Sequence, residues 1–456
     1  MVSPLSTTLD NKEISIAQTV PITFDSSRLV QLIMYVNAGI SIASTFINPE
    51  KPLLGNEEEI ISQIHKLRYN AQAPYLITGS HFHQSYVRNR GIFSNALLDP
   101  RISSTEQDWQ QKQAIALKTI ALDLEVFRLA QRDYTTIVQL GGNKFTAINI
   151  YARPSDSLFS ILYTLSALTD PLFLPQVFPT PSPVKTVHSL NTVSAAKKLI
   201  LAHKSGLKLL VENYLSEVLD TQTGLVRKNI HLSSARDGIK RISSFYDNVI
   251  AWATCRLAKD LRIDEFNRYN LQKWKRKLIT EFWDDKNGTF KDDLSQNNLL
   301  FSADAFIVTS SGFLQTNNAQ DRNYLFKMIA YVQKNKLDHP FPLHYSKANE
   351  PKKLYWPVRV FAPSYMGESI WSHWGIEYIK TLILLSPYNP EYLKEARRYL
   401  AAYKQNIVRY GGYPELYDAR GRNFKNRLYK SVLHNSWIIN YEQAKMLLEY
   451  YSSLKS

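Results

Sequence analysis

One cysteine, Cys255, occurs in 456 residues, so no intrachain disulfide can form and nothing calls for an oxidising compartment. Cysteine clusters and a His-Glu-x-x-His spacing are missing. His81-Phe82-His83 would set two imidazoles on one strand face, and His344 and His373 lie elsewhere, but no metal-site spacing joins them, so neither a metal nor another cofactor is expected. There is no glycine-rich phosphate loop and no serine or cysteine nucleophile motif. The net charge is +15, yet there is no basic tail or nucleic-acid module. Lysine and arginine are instead scattered among acids and apolar residues, as in Lys273-Trp274-Lys275-Arg276-Lys277, which fits a solvated cationic surface and no nucleic-acid partner. Long hydrophobic runs are scarce too. Leu29 to Ile47 is uncharged but broken by Gln31, Asn37, serines and glycines, and the start lacks the basic-then-apolar order of a secretory signal. The expectation is a cytoplasmic chain without a membrane span.

What is present is an ordinary globular composition, 44% hydrophobic and 21% charged, with a surplus of aromatics that includes 27 Tyr and 8 Trp. Most such rings belong in a core, and a few can serve as stacking platforms for sugars. Helical periodicity dominates after residue 100. Glu106 to Leu129 places Ile115, Leu117, Ile120, Leu122, Leu124 and Phe127 in an amphipathic pattern after a Ser103-Ser104-Thr105 cap signal. Further helices are predicted near 155–168, 193–219, 245–260, 264–283, 302–314, 319–335, 367–386, 390–409 and 431–453, with one near 57–68. Between them, Tyr134 to Val138 and Lys144 to Tyr151 read as a β-hairpin turning at Gly141-Gly142-Asn143. Phe178-Pro179-Thr180-Pro181-Ser182-Pro183 reads as a surface connection.

These helices number about a dozen, with strongly apolar ones alternating with more charged ones, as two concentric layers require. No fixed-period repeat argues for a stacked solenoid. The expected fold is all-α: an (α/α)6 toroid of helical hairpins with a small β-hairpin and an irregular N-terminal segment. It is read as one barrel over 1–456, with 1–55 an extended segment packed on it.

Two acidic motifs stand in polar breaks before helical patterns: Ser233-Ser234-Ala235-Arg236-Asp237, and Gly411-Gly412-Tyr413-Pro414-Glu415-Leu416-Tyr417-Asp418. Two carboxyls on loops of a helical scaffold are the minimum for cleaving a glycosidic bond, one protonating the leaving oxygen and one activating water. A general acid must hold its proton at working pH, which burial or a nearby negative charge favours and the adjacent Arg236 opposes. The plain structural alternatives are a helix cap or an Arg236 pair for Asp237, and backbone-amide contacts for Glu415.

Pro414-Glu415-Leu416-Tyr417-Asp418, Gly421 and Trp437 resemble the pattern around the base of the neutral invertases. Ser234-Ala235-Arg236-Asp237 resembles the acid stretch of the glucosidase I and mannosylglycerate hydrolase group. Tyr365-Met366-Gly367-Glu368-Ser369-Ile370-Trp371, with Trp374 one turn on, is similar to the segment that enters an inner helix there. The three motifs fall in the same order as in that group and, with the helical pattern, span roughly residues 200–456. Departures are Gly238-Ile239-Lys240 in place of Asn-Ser-Pro, the next aspartate arriving only at Asp247, Glu368 in place of proline, and Ser436 preceding Trp437 instead of following it. The resemblance implies an inverting glycoside hydrolase on an (α/α)6 barrel.

On that basis Asp237 is expected as general acid and Glu415 as general base, about 6.5–9.5 Å apart across one pocket. Tyr246, Trp371, Trp374 and Trp437 would line the sugar subsite with Arg236 and His373 as polar neighbours, Asp247 and Tyr365 completing the matched motifs. Arg88-Asn89-Arg90, Asn95, Asp99 and Arg101 form a further polar stretch, echoed by Arg153-Pro154-Ser155-Asp156, whose guanidinium groups suit a carboxylate or phosphate on a substrate. The expected partner is an oligosaccharide or small glycoside with an α-linkage. A lyase or epimerase on the same toroid, or a non-catalytic glycan-binding barrel, are the alternatives, since fold alone does not fix function.

Overall fold

Apolar residues spaced for a helix face become helices wherever a polar side chain opens them and a tertiary partner covers them. The computed structural model describes residues 6–9, 12–15, 22–24, 32, 36, 50–69, 76, 84–103, 105–130, 136–141, 144–148, 153–170, 172–179, 190–295, 300–426 and 429–454. Helix α1, Glu57–Arg68, opens on a capping box between Asn56 and Glu59. The other long helices are α2 (Glu106–Ala130), α3 (Ser157–Thr169), α4 (Leu190–Val218), α5 (Phe245–Asp260), α6 (Leu271–Phe282), α7 (Ala319–Lys334), α8 (Ser372–Leu385), α9 (Glu391–Tyr410) and α10 (Ile438–Ser453). Ser244, Asn270 and Asn318 cap α5, α6 and α7, each accepting backbone N–H groups of the first turn.

Burial sorts these elements into two layers. The inner layer is a closed ring running from 89–98 to α3, α5, 303–310, α8 and α10, each packed on the next, and α10 returning to 89–98. The closing seam is hydrogen-bonded: Asn440 Oδ1 accepts from the Ala96 N–H at 3.1 Å while its Nδ2 donates to the Phe93 carbonyl at 2.9 Å. Helices α1, α2, α4, α6, α7 and α9 form the outer layer, amphipathic and wet on one face. One apolar cluster runs from Ile60 to Tyr451 through both layers. This is an all-α toroid of helical hairpins.

Two inner segments depart from a regular α-helix. Residues 89–98 form a π turn (Asn89–Phe93) and a 3-10 turn (Asn95–Leu98), and 303–310 form a 3-10 turn followed by one α turn. In the first, Gly91 lies against α3 so closely that a Cβ there would fall 2.3 Å from the Ser160 Cα. Other expected helices begin late because tertiary pairing takes their first residues: the one expected near 367–386 starts at Ser372 and the one near 431–453 at Ile438.

The expected hairpin is observed as β5 (Thr136–Gly141) and β6 (Lys144–Ile148), but within a four-stranded sheet ordered β3-β6-β5-β4, with β3 Ile22–Phe24 parallel to β6 and β4 Gln84–Tyr86 antiparallel to β5. Strands β1 (Ser6–Leu9) and β2 (Lys12–Ser15) pair with each other, and β1 lies against α4. The turn residues Gly142 and Asn143, residues 180–183 of the proline-rich stretch, nearly all of Leu29 to Ile47, and His81 and His83 lie outside the described residues. Among the described residues no helix is long and apolar enough to cross a membrane.

The Gly91 contact generates a direct test. Gly91→Ala overpacks the α3 interface and is expected to lower the unfolding free energy by about 2 kcal/mol, read by urea denaturation; an unchanged midpoint would contradict the close packing described.

Candidate active site

All the loops that lead into the inner segments emerge at one end of the ring, and that end gathers the chemistry. The Asp237 loop is fastened from below by buried ion pairs. Arg236 Nη1 donates to Asp292 at 2.7 Å, and Nε and Nη2 donate to the Met366 carbonyl at 3.2 and 2.8 Å. Arg241 bridges Asp292 at 3.0 Å and Asp304 at 2.7 Å and donates to the Ser234 hydroxyl at 2.6 Å. Burial works to raise the Asp292 carboxyl, but the two guanidinium groups outweigh it and hold it below the usual range. Arg236 therefore points into the protein and away from its neighbour Asp237.

The guanidinium that does meet Asp237 is Arg88. Its Nη1 lies 3.6 Å from Asp237 Oδ2 and donates to the Ser234 carbonyl at 2.6 Å, while Nε lies 3.3 Å from Asp156 Oδ1. Asp156 also accepts from the Tyr246 phenol at 3.2 Å. Burial pushes the Asp156 carboxyl up to about 6, against the pull of Arg88 and with a push from Asp247. Asp237 itself is 23% exposed, open to an incoming molecule.

Glu415 is held on a second, independent support. Gly411, at φ 59°, ends α9 in the left-handed conformation that glycine tolerates, and the chain turns into 412–418. There Leu416–Tyr417 pairs antiparallel with Ile370–Trp371, the Ser372 hydroxyl donates to the Glu415 carbonyl at 2.7 Å, and the Glu415 N–H donates to the Val432 carbonyl at 3.1 Å. The side chain receives the Tyr429 phenol on Oε2 and the Tyr365 phenol on Oε1 at 3.5 Å. Burial pushes the carboxyl up to about 7; the Tyr429 hydrogen bond opposes this, and the negative charge of Asp237 adds to it. Tyr86, at the end of β4, is raised by burial and then by the charges of Asp237 and Glu415, with Arg88 opposing. The two carboxyls and Tyr86 thus share one electrostatic neighbourhood.

Aromatic rings form the floor. Trp371 donates from Nε1 to the Tyr365 carbonyl at 2.8 Å and stacks on Trp437 at 6.1 Å; Trp437 stacks in turn on Phe93 at 4.6 Å and donates to Asn89 Oδ1 at 2.7 Å. Trp374 and Tyr246 meet edge to face at 6.2 Å, fully buried below. His373 is also buried, near the Asn440 amide at 3.2 Å, and burial, with the Lys380 charge adding, holds its imidazole well below the ordinary range and so neutral.

The arrangement thus brings Asp237, Glu415, Tyr365, Trp371, Trp437 and Arg88 together, with Trp374, Tyr246 and His373 in a layer beneath. Asp247 serves the N-terminus of α5, accepting from Ser244 and from the Ser155 hydroxyl at 2.7 Å. Asp99 follows the inner segment 89–98 and so lies at its far end, bound by Arg101 at 2.6 Å and by Gln443 at 2.7 Å. Sequence reading did not single out Tyr86 or Tyr429; neither sits in a motif, and only the ring brings them to the carboxyls. Among the described residues no group of three or more His, Cys, Asp or Glu side chains is arranged to hold a metal ion.

No protein-family model and no curated protein matches the sequence. In structure, the chain is similar to a rhamnosidase from Klebsiella oxytoca with rhamnose bound, with a TM-score of 0.52 and 14% identity, over 86% of this chain and 64% of that one. It is similar as well to a glycosidase carrying a Glu-to-Ala substitution, with a TM-score of 0.51 and 11% identity, over 87% of this chain and 97% of that one. The likeness is one of fold. It reaches the toroid shared by such enzymes and does not single out the neutral invertase or glucosidase I group. This chain spans 64% of the rhamnosidase's length.

The perturbed carboxyl gives a stability test. With a folded pKa of about 7 against an ordinary 4.5, Glu415 favours folding when protonated. That contribution is complete below about pH 4.5 and is lost as pH rises through about 7. Glu415→Gln, which cannot ionise, is therefore expected to gain about 3 kcal/mol on the wild type between pH 4.5 and 8, measured by denaturant unfolding at both pH values. Parallel curves for the two proteins would contradict the buried carboxyl.

Proposed function

We propose that the protein is a glycoside hydrolase that cleaves an α-glycosidic bond with inversion. The observation that carries this reading is the pair Asp237 and Glu415, held on separate loops yet close enough for the charge of one to raise the pKa of the other. Asp237 gives its proton to the leaving oxygen as the glycosidic C–O bond breaks. Glu415 takes a proton from a water that attacks the anomeric carbon from the opposite face, so the new C–O bond has inverted configuration. Solvent then restores one proton to Asp237 and removes one from Glu415. A base titrating near neutrality suits this work, and Tyr365 and Tyr429 keep its carboxylate in one orientation. Tyr365, half-buried over the buried Trp371 and Trp437, provides apolar surface beside the reacting sugar.

A second reading exchanges the two roles. Arg88 beside Asp237 favours the ionised form there, while the raised Glu415 holds its proton to about pH 7. Substrates with acidic aryl leaving groups separate the two, because departure of such a group needs no general acid. If Asp237 is the acid, Asp237→Asn keeps turnover on the aryl glycoside while losing about 100-fold or more on the natural linkage, and Glu415→Gln loses both. The opposite pattern assigns the acid to Glu415.

The substrate class is tested with α-gluco-, α-manno-, α-rhamno- and sucrose-type glycosides, following product configuration by NMR. Inverted product, lost in both variants, is the expected outcome; turnover that survives both substitutions, or a retained configuration, would overturn the proposal. Tyr429→Phe removes a hydrogen bond that lowers the Glu415 pKa, so the limb of the pH–rate profile governed by Glu415 is expected to move to higher pH. An unmoved limb would detach Tyr429 from the reaction.

A further inference from the structure

Behind the Glu415 loop lies a groove of about 420 Å³ lined by Glu50, Pro52, Arg409, Tyr410, Asn423, Lys425, Lys430 and Leu433. It is the reverse side of the ribbon that carries Tyr429. Along this ribbon side chains alternate: Phe424 and Tyr429 are buried toward Tyr365 and Glu415, while Asn423, Lys425 and Lys430 face the groove. Lys425 and Lys430 sit directly opposite one another in an antiparallel bridge. Like charges so placed repel and destabilise the pairing, and the Arg409 guanidinium adds a third positive charge. The one acid in the groove, Glu50, is already engaged by the Leu433 N–H, by Arg68 at 3.8 Å and by His434 at 3.6 Å. Asn423 Oδ1 is buried without a hydrogen-bond partner, and an acceptor in that condition calls for a donor. Tyr410, with the Arg409 guanidinium 5.4 Å from its ring centroid, supplies a flat apolar face.

We infer that this groove binds an acidic sugar. The carboxylate, sulfate or phosphate group lies between Lys425 and Lys430 within reach of Arg409, a sugar hydroxyl donates to Asn423 Oδ1, and the ring covers Tyr410. The anion relieves the repulsion across the bridge. That the anion is carried by a sugar rests on the glycosidase reading; the cationic groove itself does not. The groove would then hold an acidic unit of a glycan on the back of the same ribbon whose front face holds Tyr429 against Glu415.

Binding, not hydrolysis, is the test, so this inference and the glycosidase reading fail separately. The full chain is titrated calorimetrically with a uronic-acid trisaccharide, a neutral glucose trisaccharide and inorganic phosphate, at low and at high salt. The acidic trisaccharide is expected to bind, more weakly at high salt, and the neutral one is not expected to saturate the groove. Lys425→Gln combined with Lys430→Gln is expected to weaken the acidic trisaccharide about 100-fold, about tenfold per lost charged hydrogen bond; Lys425 is exposed and Lys430 half-buried, and Arg409→Gln, at an exposed position, gives an independent variant with a loss of about tenfold. Phosphate binding without binding of the acidic trisaccharide would overturn the sugar, equal binding of the neutral sugar would overturn the role of charge, and affinity unchanged in these variants would overturn the site.

Discussion

The Arg88 guanidinium, buried where the first inner turn meets α3, touches the Asp237 carboxylate, the Asp156 carboxylate and the Ser234 carbonyl at once. A buried cation needs such partners, because desolvation of an unpaired charge costs several kcal/mol. The requirement runs in both directions: Asp156 and Asp237 each need Arg88, and together the three fix how the 233–241 loop sits on the ring. The second pair of arginines, Arg236 and Arg241, anchors the same loop from beneath through Asp292 and Asp304. Among the described residues the Glu415 carboxyl receives the Tyr365 and Tyr429 phenols, and burial raises it toward neutrality.

Opposite construction principles thus serve the two candidate carboxyls. Asp237 stands on side-chain ion pairs and is partly open to solvent, whereas Glu415 stands on backbone pairing, between Ile370–Trp371 and 431–433, and is buried. Backbone ladders are insensitive to pH and salt, while ion pairs are not. The difference places the two groups in different environments even though they share a field, and groups whose environments push their pKa values apart are the means by which one site runs acid and base chemistry together.

Much of the fold was legible in the chain. Helix α1 was read at its observed bounds, and the outer helices were found because a wet face and a buried face leave a clear period. Inner segments gave less, since residues buried on all sides carry no such period. The stretch expected as a helix over 302–314 is a 3-10 turn and one α turn, and 264–270 is a bend in which Phe266 adopts a positive φ of 44°, so α6 waits for the Asn270 cap. At the candidate site, Asp237 and Glu415 stood out because turn residues surround them. Tyr86, Tyr429 and the bridging role of Arg88 were silent, because each depends on a partner distant in sequence. Asp99 and Arg236 belong to the same polar motifs as the site residues, yet face the far end of the ring and the buried ion network, a direction that composition does not encode.

The claim on which everything else rests is that Asp237 and Glu415 act on each other within one site. A carbon-13 NMR titration of the Glu415 carboxyl, in the wild type and in Asp237→Asn, measures this directly. The account predicts a pKa of about 7 in the wild type that falls when Asp237 loses its charge. An ordinary carboxylate value in the wild type, or one unmoved by the substitution, would contradict it.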